Sequence, residues 1–265
     1  GHEINEYYLQ ENYSGSGQYF DSDGKVLPNG GPADGMIRTP KDMEWLNAMI
    51  AEGYKFMPKE TVSKNGIWYG DYILSDVNGD GIYGDSNDYK WQGVSRTPKF
   101  YYGFNLEVGW KGINLSARFV GAGGGAIRSR KGGVNYSVLQ TQQTIGKDIA
   151  YDHYFYDPDN PWDPRTNTTS RNPRLTITYG QALNDSNFYL YKTNYLKLQN
   201  VTLSYSFPKK LLSHIRLTSA QIYVTGENLY TFKDRLFPGV DPEFTDTNMY
   251  YSPIRQIVFG VNLKF

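Results

Sequence analysis

The sequence predicts an all-β chain of about six antiparallel strands from a transmembrane β-barrel, joined alternately by short turns and long loops. Three observations predict it. Residues 256–265 place Ile257, Phe259, Val261, Leu263 and Phe265 in strict alternation with Gln256, Val258, Gly260, Asn262 and Lys264, and they stop on that last aromatic residue. A period of two gives a strand one greasy and one wetter face, as a strand between lipid and a barrel lumen requires. The same pattern recurs upstream in pairs, and the connections between pairs are far longer than those within them. Taken alone, the last strand also fits the closing strand of a soluble β-sandwich.

In chain order, a first strand is expected near residues 4–12, because about ten residues suffice to cross the hydrocarbon at a tilt. A long loop, 14–98, follows. Within it, Thr39 reads as a helix N-cap, Pro40 as the first helical position and Gly53 as the stop, with Trp45, Leu46, Met49 and Ile50 on one apolar face. The clearest strand pair then sets Phe100, Tyr102, Phe104, Leu106, Val108 and Trp110 beside Ile113, Leu115, Ala117 and Phe119, with Lys111-Gly112 as a tight hairpin turn. A second long loop, 121–187, leads to another pair. Val201, Leu203, Tyr205 and Phe207 alternate with Asn200, Thr202, Ser204 and Ser206; after a short basic turn, Ala220, Ile222 and Val224 alternate with Gln221, Tyr223 and Thr225. Loop 233–255 precedes the final strand. Short turns on one side and long loops on the other match periplasmic turns and extracellular loops, which puts the C-terminus on the periplasmic side.

Six strands do not close a barrel, since the smallest bacterial barrels use about eight, and an open edge in lipid leaves backbone groups unpaired. The expectation is that this chain pairs with the remainder of its own barrel and faces outer-membrane lipid. Gly1 is not an initiator Met and no signal segment precedes it, so the chain is expected to start within a longer gene product.

Composition narrows the function classes. With no cysteine, neither a disulfide framework nor a thiolate metal site can form. A formal net charge of zero argues against nucleic acid as a partner, where a clustered basic excess is expected. The mean hydropathy of -0.60 and the lack of a long apolar run exclude a transmembrane helix but leave a barrel open, because alternation dilutes its signal. Tyrosine, at 24 residues, suits strands, membrane-interface girdles and ligand surfaces alike.

Several motifs occur together and in order. They are Gly70-Asp71-Tyr72-Ile73-Leu74-Ser75-Asp76-Val77-Asn78-Gly79-Asp80-Gly81, then Thr97-Pro98-Lys99-Phe100-Tyr101-Tyr102-Gly103-Phe104-Asn105, then Tyr195-Leu196-Lys197-Leu198-Gln199-Asn200-Val201-Thr202-Leu203-Ser204-Tyr205-Ser206-Phe207-Pro208. Further on come Ile222-Tyr223-Val224-Thr225-Gly226-Glu227-Asn228-Leu229-Tyr230, Gly239-Val240-Asp241-Pro242-Glu243 and the last residues from Phe259. Over about two thirds of its length the chain resembles the C-terminal part of SusC/RagA-type TonB-dependent outer-membrane transporters; residues 1–69 match only loosely. The resemblance implies a barrel of roughly 22 strands with an N-terminal plug. It further implies a TonB box driven by TonB from the inner membrane, a SusD-like surface lipoprotein as lid, and glycan or oligopeptide cargo in Bacteroidetes-type bacteria. Residues 1–265 are then the C-terminal portion of that barrel, and no residue here is assigned to the plug or the TonB box.

Asp76-Val77-Asn78-Gly79-Asp80-Gly81 reproduces the first half of a calcium loop, with oxygen ligands at alternate positions and a Gly for the sharp turn. The candidate Ca2+ ligands are Asp76, Asn78, Asp80, the Ile82 carbonyl, Asp85 and Asp88. Asn87 stands where the bidentate Glu belongs, and the alternative is an Asx/Gly turn held by its own side chains. In loop 121–187, Arg128, Arg130, Tyr151, His153, Tyr154, Tyr156, Trp162, Arg165, Arg171 and Arg174 suit stacking on sugar rings or bonding peptide carbonyls. Of these, Arg128, Tyr154, Trp162 and Arg174 are the substrate-binding candidates. The other reading is that they pack the loops or meet the partner lipoprotein.

No catalytic constellation is found. His2, His153 and His214 are scattered, Asp157, Asp159 and Asp163 are interleaved with prolines, and neither a nucleophile elbow nor a phosphate loop occurs. The chain is read as an importer component and not an enzyme. The alternative from another class is a secreted carbohydrate-binding β-sandwich, in which the apolar face of the last strand meets a second sheet instead of lipid.

Overall fold

The computed structural model describes residues 1–59, 61–128, 147–176, 185–213, 217–237, 241–243 and 253–265. The chain divides into two units. The first comprises Gly1–Gly93 and Arg128–Leu190, the second Val94–Ile127 and Tyr191–Phe265.

In the first unit, β1 (Glu6–Gln10) pairs with β4 (Tyr89–Ser95), and the two-residue strands β2 (Lys55–Phe56) and β3 (Ile82–Tyr83) pair in parallel. Helix α1 (Pro40–Ala51) forms where expected. Thr39 accepts from the Asp42 N–H while the Asp42 carboxylate accepts from the Thr39 N–H, a reciprocal cap that satisfies two donors the helix cannot. Gly53 follows the helix at a φ of 97°, a conformation glycine reaches without a Cβ clash. Met43, Trp45, Leu46 and Met49 are buried, with Met36, Ile37, Phe56, Ile67, Leu74 and Tyr83 completing an aromatic-rich core. The Trp45 ring lies where a Cβ on Gly31 would stand, 2.7 Å away, and its indole N–H donates to the Leu27 carbonyl. Segment 14–98 is therefore not one open loop: most of it folds with its own core.

The first expected strand is real but differently placed. Glu6–Gln10 pairs with Tyr89–Ser95 and is not a member of the main sheet. Two short strands, β7 (Ala126–Arg128) and β8 (Leu190–Lys192), lie where the chain passes between the units.

The second unit is built on a five-stranded sheet of β5 (Phe100–Trp110), β6 (Ile113–Gly123), β9 (Tyr195–Ser206), β10 (Ser219–Lys233) and β11 (Gln256–Lys264), in the order β11-β10-β9-β6-β5. Every neighbouring pair is antiparallel. Lys111 and Gly112 both adopt positive φ, 47° and 88°, the turn whose twist matches its flanking strands. A Cβ on Gly112 would stand 2.7 Å from the Ser206 carbonyl oxygen, so the turn needs glycine there for space as well as for φ.

The register makes the alternation a property of the whole sheet. Trp110, Ile113, Tyr205, Ile222 and Val261 form one row across the strands; Val108, Leu115, Leu203, Val224 and Phe259 form the next; Leu106, Ala117, Val201, Gly226 and Ile257 form a third. These rows make one apolar face, and it is open: Phe259 is 79% exposed and Val108 66%. The intervening rows, such as Glu107, Ser116, Thr202 and Thr225, make the opposite, polar face. Its side chains bond across strands, with Asn114 Nδ2 donating to Glu107 Oε1 at 2.9 Å and the Thr202 and Thr225 hydroxyls 2.9 Å apart. A sandwich strand would bury its apolar face against a second sheet; among the described residues none covers this one.

Candidate functional site

The polar face of the sheet carries one strongly charged feature. Lys197 on β9 is only 1% exposed, and its ammonium donates to Asp241 Oδ2 at 2.7 Å and to Glu243 Oε2. The Tyr195 hydroxyl donates to the other Glu243 oxygen at 2.9 Å, and the Glu243 N–H to Asp241 Oδ1 at 3.0 Å. A buried ammonium is tolerated only with such partners, so the Asp241-Pro242-Glu243 motif acts as a strap that fastens the last long loop to the sheet. Beside it lies a pocket of about 480 Å³ lined by Arg96, Tyr101, Tyr195 and Glu243 among others. Both motifs are visible in the sequence as separate features. The signal was available: one Lys in a strand of otherwise neutral residues, and two carboxylates two residues apart in the loop that follows. Gly239 and Val240 lie outside the described residues.

The loop at 76–88, in the first unit, is self-contained. Asp76 accepts the N–H groups of Gly79, Asp80 and Gly81; Asp80 accepts from Ile82 N and Asn78 Nδ2; Asp85 accepts from Asn87. Asp88, fully buried, accepts four backbone donors, Val77 and Asn78 on one oxygen and Gly84 and Asp85 on the other. A carboxylate offers about four lone-pair sites, so Asp88 has none left for a cation. Among the described residues no three His, Cys, Asp or Glu side chains gather in a way that could hold a metal. The geometry fits the side-chain-held turn; Asp88, expected as a terminal ligand, is its hub.

Of the four substrate-binding candidates, two come together, and both serve the scaffold. Arg174 makes a bidentate pair with Asp71, Nε to Oδ1 at 2.9 Å and Nη2 to Oδ2 at 2.8 Å, and also donates to the carbonyls of Lys64 and Gly66. Burial pushes the Asp71 carboxyl above its ordinary range, against the pull of the guanidinium and the Trp68 N–H. Tyr154 is fully buried, donates to the Arg38 carbonyl at 2.6 Å, and fills the space a side chain on Gly70 would need. Both residues border a pocket of about 230 Å³ whose other walls include Trp68, Tyr69 and Tyr156. Arg128 is elsewhere, paired with Asp185 at 2.8 Å, and Trp162 stands 92% exposed. Arg165 pairs with Asp163, holding that carboxyl down at about 2, and lies over the Phe155 ring. His2 stacks on Trp91 and bonds Glu6, while His153 Nδ1 lies 3.1 Å from the Ile149 carbonyl oxygen. Arg130 and His214 lie outside the described residues.

No family model matches the chain. It is 29% identical over 210 residues to TonB-dependent receptor P3 of Formosa agariphila, covering 74% of this chain and 19% of that protein. It is 26% identical over 187 residues to TonB-dependent receptor P26 of the same organism, covering 71% and 17%. The chain thus spans about a fifth of the length of the curated relatives it matches. Among solved structures, the RagAB peptide importer in its closed-closed state matches with a TM-score of 0.57 at 25% identity, over 74% of this chain and 21% of that one. The open-open state gives a TM-score of 0.56 at 24% identity with the same coverage. No helix among the described residues is long and apolar enough to cross a membrane. The ordered motifs and the open two-faced sheet lead to the same place: the chain is similar in sequence to TonB-dependent receptors and in fold to the barrel of a SusC/RagA-type TonB-dependent transporter.

Proposed function

We propose that this chain supplies the C-terminal strands and extracellular loops of a TonB-dependent importer that carries glycans or oligopeptides across the outer membrane. In this reading β5 and β11, the two edges of the sheet, pair with the remainder of the barrel. The long loops 14–98, 121–187 and 233–255 are extracellular, a SusD-like lipoprotein closes over them, and the C-terminus is periplasmic. TonB acts through segments outside this sequence. The single observation that carries the reading is the apolar face: three rows of side chains, each five strands wide, open on one side of the sheet and backed by a polar face on the other.

The test uses the lack of cysteine in this chain. Single cysteines at Leu106, Val224 and Phe259 on one face, and at Glu107, Thr202 and Thr225 on the other, are placed in the full-length protein in its native membrane. Expected is protection of the first set from a water-soluble thiol reagent and quenching of a fluorophore there by a lipid-borne spin label, with the second set open to water. Equal labelling of both sets in a protein that needs no detergent would refute the importer and favour the carbohydrate-binding sandwich.

A further inference from the structure

We infer that the first unit holds a saccharide-binding subsite, in the pocket of about 520 Å³ bordered by Tyr13, Tyr54, Tyr83, Glu11, Asp76 and Lys90. Its role in cargo capture rests on the importer reading; its location and ligand chemistry come from the pocket itself. The floor is rigid. Tyr13 and Tyr83 are buried with ring centroids 6.0 Å apart, Phe56 stacks on Tyr83 at 4.7 Å, and Trp45 backs Tyr13 at 5.3 Å. The Tyr13 hydroxyl donates to the Pro28 carbonyl at 2.7 Å and accepts from Gly31, so the floor does not need the ligand to be ordered. Tyr54 stands edge-on to Tyr83 at 6.1 Å and is partly exposed, which leaves a ring for the C–H face of a sugar to lie on.

The rim supplies the complementary polar groups. Lys90 Nζ bonds Glu11 Oε2 at 3.1 Å, and both side chains are partly open to water. An ammonium has three donors and a carboxylate about four acceptor sites. Among the described residues their mutual bond is the one hydrogen bond either side chain makes, so the pair presents an acceptor and a donor side by side. Adjacent hydroxyls on a pyranose ring need that arrangement, one hydroxyl donating to carboxylate and its neighbour accepting from ammonium. The third wall is the turn around Asp76, whose N–H groups at Gly79, Asp80 and Gly81 are already taken by the Asp76 carboxylate. The N–H groups of that turn are therefore taken and do not pair with an extended peptide, whereas the side-chain pair and the Tyr54 ring offer the contacts a sugar uses. A pocket of this size falls in the usual range for small ligands, about 300–1,000 Å³, and accommodates one or two sugar rings.

The experiment is saturation-transfer NMR and calorimetry on the intact full-length protein in detergent, with a panel of neutral hexose and pentose disaccharides and a matched panel of tripeptides. The proteins compared are wild type, Tyr54→Ala, the double variant Glu11→Gln with Lys90→Met, and Tyr156→Ala in the other aromatic pocket as control. Expected is disaccharide binding that Tyr54→Ala weakens by about threefold to tenfold and the rim double variant abolishes, with Tyr156→Ala unchanged. Circular dichroism and limited proteolysis check that each variant is folded. Disaccharide binding indifferent to Tyr54 and the rim overturns the location; tripeptide binding with no disaccharide binding overturns the ligand class while leaving the importer standing. Failure of the lipid-face labelling with disaccharide binding intact refutes the importer and leaves the subsite.

Discussion

Arg174→Ala separates the two roles this residue can have. In the structure its guanidinium is spent on a buried partner: the Arg174 and Asp71 side chains are 13% and 3% exposed, so water does little to screen the pair. Removing the arginine leaves the Asp71 carboxylate buried against the Trp68 N–H without its cation, and unbinds the carbonyls of Lys64 and Gly66. Breaking one side of a buried pair costs about 3–5 kcal/mol. At about 1.4 kcal/mol per tenfold, that is roughly a hundredfold to several-thousandfold rise in local opening. Hydrogen exchange on the intact protein reads it directly, at Gly70 and Ile73, whose N–H groups bond the carbonyls of Ile37 and Gly35. Arg174→Lys keeps the charge but loses the planar fork and should fall between; adding Asp71→Asn to Arg174→Ala should recover part of the loss, because no charge then stays buried. Exchange unchanged in Arg174→Ala, with cargo uptake lost, would mean that the arginine reads cargo and that the scaffold argument fails.

Four further outcomes follow from the same geometry. Lys197→Met leaves Asp241 and Glu243 without their cation, and faster proteolytic cleavage within loop 233–255 is expected, with Tyr195→Phe milder at about 1 kcal/mol; equal cleavage rates would dismiss the strap. Asp88→Ala orphans four backbone donors and should loosen residues 76–88 to proteolysis without rescue by calcium, whereas saturable calcium binding that Asp80→Asn removes would restore the metal reading. Burial pushes the Tyr13 phenol up to about 12 from 10.0, so its stabilising contribution is full below pH 10 and drains as pH rises through 12; ultraviolet titration of wild type against Tyr13→Phe should show one phenol ionising late. Deleting Gln199 should cut the yield of assembled barrel while Gln199→Ala leaves it intact, measured by resistance of the folded form to denaturing electrophoresis.

Much of the sheet was legible because a strand between two solvents is written with a period of two and little else. Phe100 to Trp110, Lys111-Gly112 and the final strand stand where alternation and turn chemistry put them. Helix α1 was legible for a similar reason, since Thr39, Pro40 and Gly53 are local signals. The roles of Arg174, Tyr154 and Asp88 were not. An arginine beside aromatic residues has the same one-dimensional appearance whether it reads cargo or ties Asp71 from 103 positions away. Asp88 as the last ligand of a cation and Asp88 as acceptor for Val77, Asn78, Gly84 and Asp85 use the same spacing, and only backbone direction distinguishes them. The edge pairing of Glu6–Gln10 was equally hidden, because its partner Tyr89–Ser95 does not alternate cleanly.

Lys197 shows where periodicity itself misleads. It has the same parity as Val201, Leu203 and Tyr205, so an uninterrupted strand would aim it at lipid, where a lysine costs about 2–4 kcal/mol at mid-depth. The register breaks instead: Arg118 pairs with Asn200 but Phe119 with Leu198, and Glu227 pairs with Asn200 but Tyr230 with Leu198. Against β6, Gln199 is an extra residue on β9, and against β10 it faces two residues, Asn228 and Leu229; the one-residue slip against β6 exchanges the faces of everything beyond it on β9. Leu198 and Leu196 move to the apolar side beside Tyr230, Phe232 and Phe119, and Lys197 and Tyr195 turn to the polar side, where Asp241 and Glu243 meet them. The bulge and the strap are therefore one device. Without the slip the buried ammonium has no carboxylates, and without the carboxylates the slip would bury a charge for nothing.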